Sequence, residues 1–180
     1  TDLGLRLANH SDFHEMGIYG FLVLASPTVG EMLKRAAYYY PLVYRRDGLS
    51  FSSGKESARF TFKTALGDGV AQQVDSEWTL GGFAHLVRSF IGCDWTPTRS
   101  CFTSSAPVNQ SAIYELFGSN TQFDQPASFF EVENSVLDNP IPGGSAEIYQ
   151  AVRDEADRLL AEYAKTDSLE SHVRLLILRS

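Results

Sequence analysis

Apolar and polar positions along the chain change period several times, and each change marks an element. Leu3, Leu5 and Leu7 make Gly4 to Asn9 read as the end of a helix, and the polar run His10 to Glu15 reads as a turn. Ile18 to Leu24 is apolar on every face, which predicts a short buried helix. Ser26-Pro27 predicts the start of the next one. A serine side chain caps free backbone N–H groups, and proline is tolerated in the first turn. Val29, Met32, Leu33, Ala36, Ala37 and Tyr40 then recur at helical spacing, to about Val43.

The period next falls to two. Leu49, Phe51 and Ser53 alternate with Ser50 and Ser52, and after Gly54-Lys55-Glu56, Ala58, Phe60 and Phe62 alternate with Arg59, Thr61 and Lys63. That pattern predicts a β-hairpin. Gly67-Asp68-Gly69 ends it, and a long helix follows from Val70 to Ile91, closed by Gly92. Thr98 to Ser104 is a third strand, Gln110 to Phe117 a short helix ended by Gly118, and Phe123 and Ser128 to Val132 are further short strands. Pro140 to Gly144 is a turn. Ser145 caps a helix to Lys165 with Ile148, Val152, Ala156, Leu159, Leu160 and Tyr163 on one stripe. Asp154, Arg158 and Glu162 share its outer face, and a separate last helix covers about Ser168 to Leu178. The order of elements predicts an α+β fold: a small antiparallel sheet, including the hairpin, packed with several helices.

Composition narrows the function more than the fold. The 180 residues suit one domain, long enough to bury a core without disulfide or metal staples. A net charge of -7 opposes binding of DNA, RNA or an anionic membrane by these residues. Cys93 and Cys101 suit free thiols in a reducing, cytoplasmic setting rather than a disulfide framework. The apolar run Ile18 to Ala25 is too short to span a bilayer and has no basic segment before it. Thr1 stands directly in patterned sequence, as in a piece cut from a longer protein.

Candidate chemistry is sparse. His10 and His14 stand four apart, as zinc ligands on a helix do, but they fall in a predicted turn with no third ligand nearby, so no metal or other cofactor is expected. No phosphate loop or nucleophile elbow is present, so no enzyme activity is expected. The long helix is the most informative segment. Trp78, Gly81, Gly82 and His85 share a face, with Glu77 beside it. Two helical glycines cost about 1 kcal/mol each relative to alanine, so something approaches the backbone there, either a ligand or another packed element. Tyr38, Tyr39, Tyr40 and Tyr44 offer flat apolar bodies with polar tips, suited to an organic ligand or to ordinary packing. Arg59 and Lys63 share a strand face with Thr61, where they pair with an acidic ligand or face solvent.

Several segments in order also resemble a known family. Gly4 to Ala8 is similar to its "GLRLG" opening, and Gly17 to Tyr40 to its "G.LGYALLSSPTLGEALR..ARYY" segment. Glu77 to Gly92 is similar to its long central helix, Tyr114 to Phe123 to "Y..LFG..V.F", and Phe129 to Pro142 to "L.F....LD.PLP". By these motifs the chain resembles the N-terminal effector-binding, arabinose-binding-type domain of AraC-type transcriptional regulators, within an ornithine-utilisation-regulator-like subgroup. Gly81-Gly82 departs from relatives that carry Ala or Leu there. The resemblance implies a ligand sensor, not a cupin barrel, with residues 1–165 as the effector-binding domain. Residues 166–180 would lead to a C-terminal DNA-binding module with two helix-turn-helix motifs, absent from this chain. The implied partners are a small organic effector (amino acid, sugar or short acid), DNA through the absent module, and a second copy in a homodimer. No membrane partner is expected. The residues expected to line the effector pocket, between the long helix and the sheet, are Glu77, Trp78, His85, Arg59 and Tyr39. The competing reading is a dimerisation module without an effector.

Overall fold

The computed structural model describes residues 2–44 and 48–177, with side chains of the last helix described as far as residue 163. The chain runs α1 (Leu3–Ala8), a 3-10 turn (Phe13–Met16), α2 (Gly17–Leu24), α3 (Val29–Tyr39) and a second 3-10 turn (Tyr40–Leu42). The hairpin β1 (Gly48–Ser53) and β2 (Ser57–Lys63) comes next, then the long α4 (Val70–Ile91). β3 (Arg99–Cys101), α5 (Ser111–Phe117), β4 (Thr121–Gln122), β5 (Ser128–Glu133), α6 (Asn134–Leu137) and α7 (Ala146–Ile177) complete it.

The five strands form one open sheet in the order β1-β2-β5-β3-β4. The fold is α+β, as the element order predicts, but the sheet is mixed rather than purely antiparallel, because β4 pairs parallel with β3. The cause is the intervening α5. Parallel neighbours need a crossover connection, and α5 supplies it.

Alternation along β2 separates two faces. Ala58, Phe60 and Phe62 are buried, whereas Arg59 and Lys63 are exposed. The helices cover the Phe60 face. There the Phe60 ring meets Phe83 of α4 at 4.9 Å and Phe130 of β5 at 5.4 Å. Burying one such ring contributes about 1.5–3 kcal/mol.

Both ends of α4 follow from glycine. Gly69 precedes it with φ 115°, and Gly92 ends it with φ 121°, a backbone that side-chain-bearing residues rarely adopt. Its middle lies against α1 at unusually short range. A Cβ on Gly4 would stand 2.5 Å from Glu77 Cβ, and one on Gly81 would stand 2.8 Å from Ala8 Cβ. Gly81 is therefore a packing residue. Gly82 is looser, with Ser11 Oγ as the nearest neighbour at 3.5 Å.

Three sequence expectations need correction. The cap of α3 is Thr28, whose hydroxyl accepts from Glu31 N, and not Ser26. Ser26 is buried and donates to the Leu22 carbonyl at 3.3 Å. The last two helices are one continuous helix, α7, across the polar residues 165–168 (178–180 lie outside the described residues). On its inner stripe Ala156 is fully buried, but Ile148 is 47% exposed. Tyr149 turns inward instead, with the Arg35 guanidinium 3.5 Å above its ring. The Ser145 cap holds, since its hydroxyl accepts from Ile148 N at 3.2 Å.

Candidate ligand-binding site

An aromatic cavity opens where four segments meet. The stretch after α1 supplies Ser11, Phe13 and Met16, and α2 supplies Tyr19. The 3-10 turn after α3 supplies Tyr40, the residues after that turn supply Tyr44, and α4 supplies Trp78, Thr79, Gly82 and Phe83. The empty space is about 340 Å³, counted with its open mouth. None of these lining side chains is charged.

Local chemistry fixes the walls. The Trp78 indole N–H donates to Ser11 Oγ at 3.0 Å, which ties α4 to the loop after α1. Tyr44 stands edge-on to Trp78 at 6.2 Å and tilts against Tyr40 at 5.3 Å. Tyr40 in turn meets Tyr19 edge-on at 6.2 Å. The Tyr19 hydroxyl donates to the Ala36 carbonyl at 3.2 Å, and burial pushes its pKa up. Rings held by such contacts present fixed faces and edges, the arrangement that recognises flat or apolar parts of an organic molecule.

Of the five residues expected to line a pocket, only Trp78 faces this cavity. Glu77 points the other way, into the contact between α1 and α4. It is 1% exposed, accepts from Gln73 Nε2 at 2.7 Å, and leaves its second carboxylate oxygen without a hydrogen bond. Burial raises its pKa, and the Gln73 hydrogen bond opposes that shift. His85 lies two turns beyond Trp78 in a separate polar cleft with Arg6, Asn9, Arg88 and Glu115. Burial and the neighbouring Arg88 charge lower its pKa. Arg59 is on the sheet face away from α4. It pairs with Glu131 at 2.8 Å and lies 4.0 Å above the Phe129 ring. Tyr39 is buried and donates to Asp157 Oδ1 at 2.8 Å, joining α3 to α7. Burial, followed by its bonds to Tyr149 and Asp157, raises its pKa strongly.

Helix geometry explains the separation. Glu77 and Trp78 are adjacent, so they point about 100° apart. Trp78 and His85 share a direction but stand roughly 10 Å apart along the axis. The lining residues outside α4 come from positions 11–44, and no local spacing connects them to Trp78. The run of tyrosines was the available signal, through Tyr40 and Tyr44. The two histidines separate as well. His10 bonds through Nδ1 to the Arg6 carbonyl, while the N–H of His14 donates to Asp12. Among the described residues no three His, Cys, Asp or Glu side chains gather as a metal site would require, and no helix is long and apolar enough to cross a membrane.

The fold thus places a small mixed sheet under a long helix, with an aromatic cavity beside it. Residues 1–141 match the family described as the arabinose-binding domain of AraC transcription regulators, N-terminal. The chain belongs to that family. It is 25% identical over 179 residues to an ornithine utilization regulator of Pseudomonas aeruginosa, covering 98% of this chain and 52% of that protein. Its fold is similar to the crystal structure of the transcriptional regulator CdpR from Pseudomonas aeruginosa, with a TM-score of 0.69 and 16% identity. That likeness covers 83% of this chain and 49% of the other. The chain thus spans about half the length of the relatives it matches.

Proposed function

We propose that this chain is the ligand-sensing half of a cytoplasmic transcription regulator, without enzymatic activity, and that it binds a small organic effector in the aromatic cavity beside Trp78. The observation that carries this reading is the cavity itself, an aromatic recess with no charged side chain in its described lining, between the segment after α1, α2, the 3-10 turn after α3, and α4. The name of the 25% identical relative makes amino acids the first class to test, followed by sugars and short acids. DNA contact belongs to residues outside this chain, in keeping with its net charge of -7.

The mechanism is a population shift. A ligand that binds one arrangement of the four segments better than another biases the position of α7, which reaches α3 through the Tyr39–Asp157 bond. Residues 1–165 carry the sensor, and residues 166–180 lead onward to the DNA-binding module, with a homodimer as the working unit.

A thermal-shift screen across amino acids, sugars and short acids tests the reading. The expected result is stabilisation by one class, lost in Trp78→Leu. A folded chain that no class stabilises, or a response unchanged in Trp78→Leu, refutes the site. If light scattering then shows a dimer indifferent to every ligand, the domain is a dimerisation module instead.

A further inference from the structure

Packing accounts for Gly81 but not for Gly82. A helical glycine is less stable than alanine, so each needs a reason. At Gly81 the reason is α1, since a Cβ would stand 2.8 Å from Ala8 Cβ. At Gly82 the nearest neighbours of a Cβ are Ser11 Oγ at 3.5 Å and Ser11 Cβ at 3.7 Å, contacts that alanine would tolerate. Gly82 belongs instead to the wall of the aromatic cavity. Ser11 ties it to the indole edge, because the same Oγ accepts from Trp78 Nε1 at 3.0 Å. Ser11, Phe13 and Gly82 also border the adjoining cleft that holds Asp12, His14 and His85. Gly82 thus stands in the partition between two spaces, where it contributes backbone alone.

We propose that Gly82 sets the specificity of the aromatic cavity: its missing side chain leaves a slot in which a flat, uncharged ring of the effector lies against the backbone of α4. The proposal rests on the cavity being the effector site and narrows what can enter it. Glycine is the residue that lets a ligand approach a backbone closely. Alanine would move that wall out by one carbon–carbon bond, about 1.5 Å, and a rigid ring cannot bend around the added group. The surroundings of the slot disfavour charge. The described lining carries no charged side chain. Two of its polar hydrogens are already engaged, that of Trp78 on Ser11 and that of Tyr19 on the Ala36 carbonyl, so an ion entering here would lose water and gain few partners. The rings favour flatness. Trp78 and Tyr44 stand at 83°, Tyr19 and Tyr40 at 68°, and Phe13 and Phe83 at 59°. Walls set at such angles offer an entering aromatic ring both edges and faces, contacts that a saturated ring forfeits.

The test is calorimetric titration of the 180-residue chain with indole, cyclohexanol and glucose, with amide NMR to place the contact. Indole should bind at least tenfold more tightly than cyclohexanol or glucose and shift the amides of residues 79–83. Gly82→Ala should weaken indole at least tenfold while raising the melting temperature of the free chain, so lost binding is not lost folding. No indole binding overturns the proposal, as does equal binding of cyclohexanol or glucose, or indole binding unchanged in Gly82→Ala. Lost binding with a lower melting temperature overturns it too, because Gly82 would then be a packing residue. Failure of the cavity itself reads differently. A ligand from the thermal-shift screen that needs Trp78 but is indifferent to Gly82→Ala keeps the site and removes only the role of Gly82.

Discussion

Gly81 and Gly82 are neighbours in one helix, yet an added methyl group should act on them in opposite directions. Replacing a helical glycine by alanine gains about 1 kcal/mol when the space is free. At Gly82 the new Cβ meets Ser11 Oγ at 3.5 Å, ordinary van der Waals contact. Gly82→Ala should therefore stabilise the chain by about 0.5–1 kcal/mol. At Gly81 the new Cβ falls 2.8 Å from Ala8 Cβ, and Ala8 has no longer side chain to swing aside. Helix α1 must move away from α4, at an overpacking cost of about 1–3 kcal/mol. Set against the same propensity gain, Gly81→Ala should be destabilised by up to about 2 kcal/mol. Urea unfolding followed by circular dichroism measures both, and a thermal melt should separate them by roughly 2–4 °C per kcal/mol. Equal stability of the two variants, or a more stable Gly81→Ala, refutes the close contact between α1 and α4.

Four further results are expected. Glu77 has a raised pKa in the folded chain, so its carboxyl favours folding below its ordinary value of 4.5, and that contribution is lost as pH rises through the folded value. Glu77→Gln keeps an oxygen for Gln73 and should gain stability over wild type as pH rises from 4 to 7, read from denaturant curves; a constant difference contradicts the burial argument. Tyr39→Phe removes the bond to Asp157 and should cost about 1.5 kcal/mol, checked by the same unfolding assay, with no loss expected if α3 and α7 are not joined there. A double-mutant cycle on Arg59 and Glu131, an ion pair with Arg59 44% exposed, should give a coupling below about 1 kcal/mol, and a larger value would mark the pair as more than a surface contact. A thiol reagent should modify exposed Cys93 in the native state and buried Cys101 only on unfolding, as counted by mass spectrometry.

The legible parts of the fold were those where several local signals agree. The bounds of α4 and the hairpin follow from periodicity and flanking glycines, and they stand at Val70–Ile91, Gly48–Ser53 and Ser57–Lys63. The cap of α3 was misplaced because Ser26-Pro27 is a strong local signal, while tertiary packing draws Ser26 inward and leaves the work to Thr28. The polar stretch Lys165 to Ser168 reads as a break, yet the helix runs through it. The site was less legible. Trp78 stood out from its own helix face, but Ser11, Phe13, Met16 and Tyr19 reach it only through chain reversals that no spacing encodes. Conversely, Arg59 looked available on its strand, and the cross-strand neighbour Glu131 decides otherwise.

The length of α7 has a mechanical meaning. Its 32 residues make a rod roughly 48 Å long at 1.5 Å per residue. Asp157, a third of the way along, is fastened to the body by Tyr39. A rod held near one end turns a small rotation at its seat into a large sweep at its tip. A tilt of about 5° about Asp157 displaces the far end, about 30 Å away, by roughly 2.6 Å. A small shift at Tyr39 would thus be geared up along α7, and the stiffness of the rod, rather than any large rearrangement of the body, would set how far it carries.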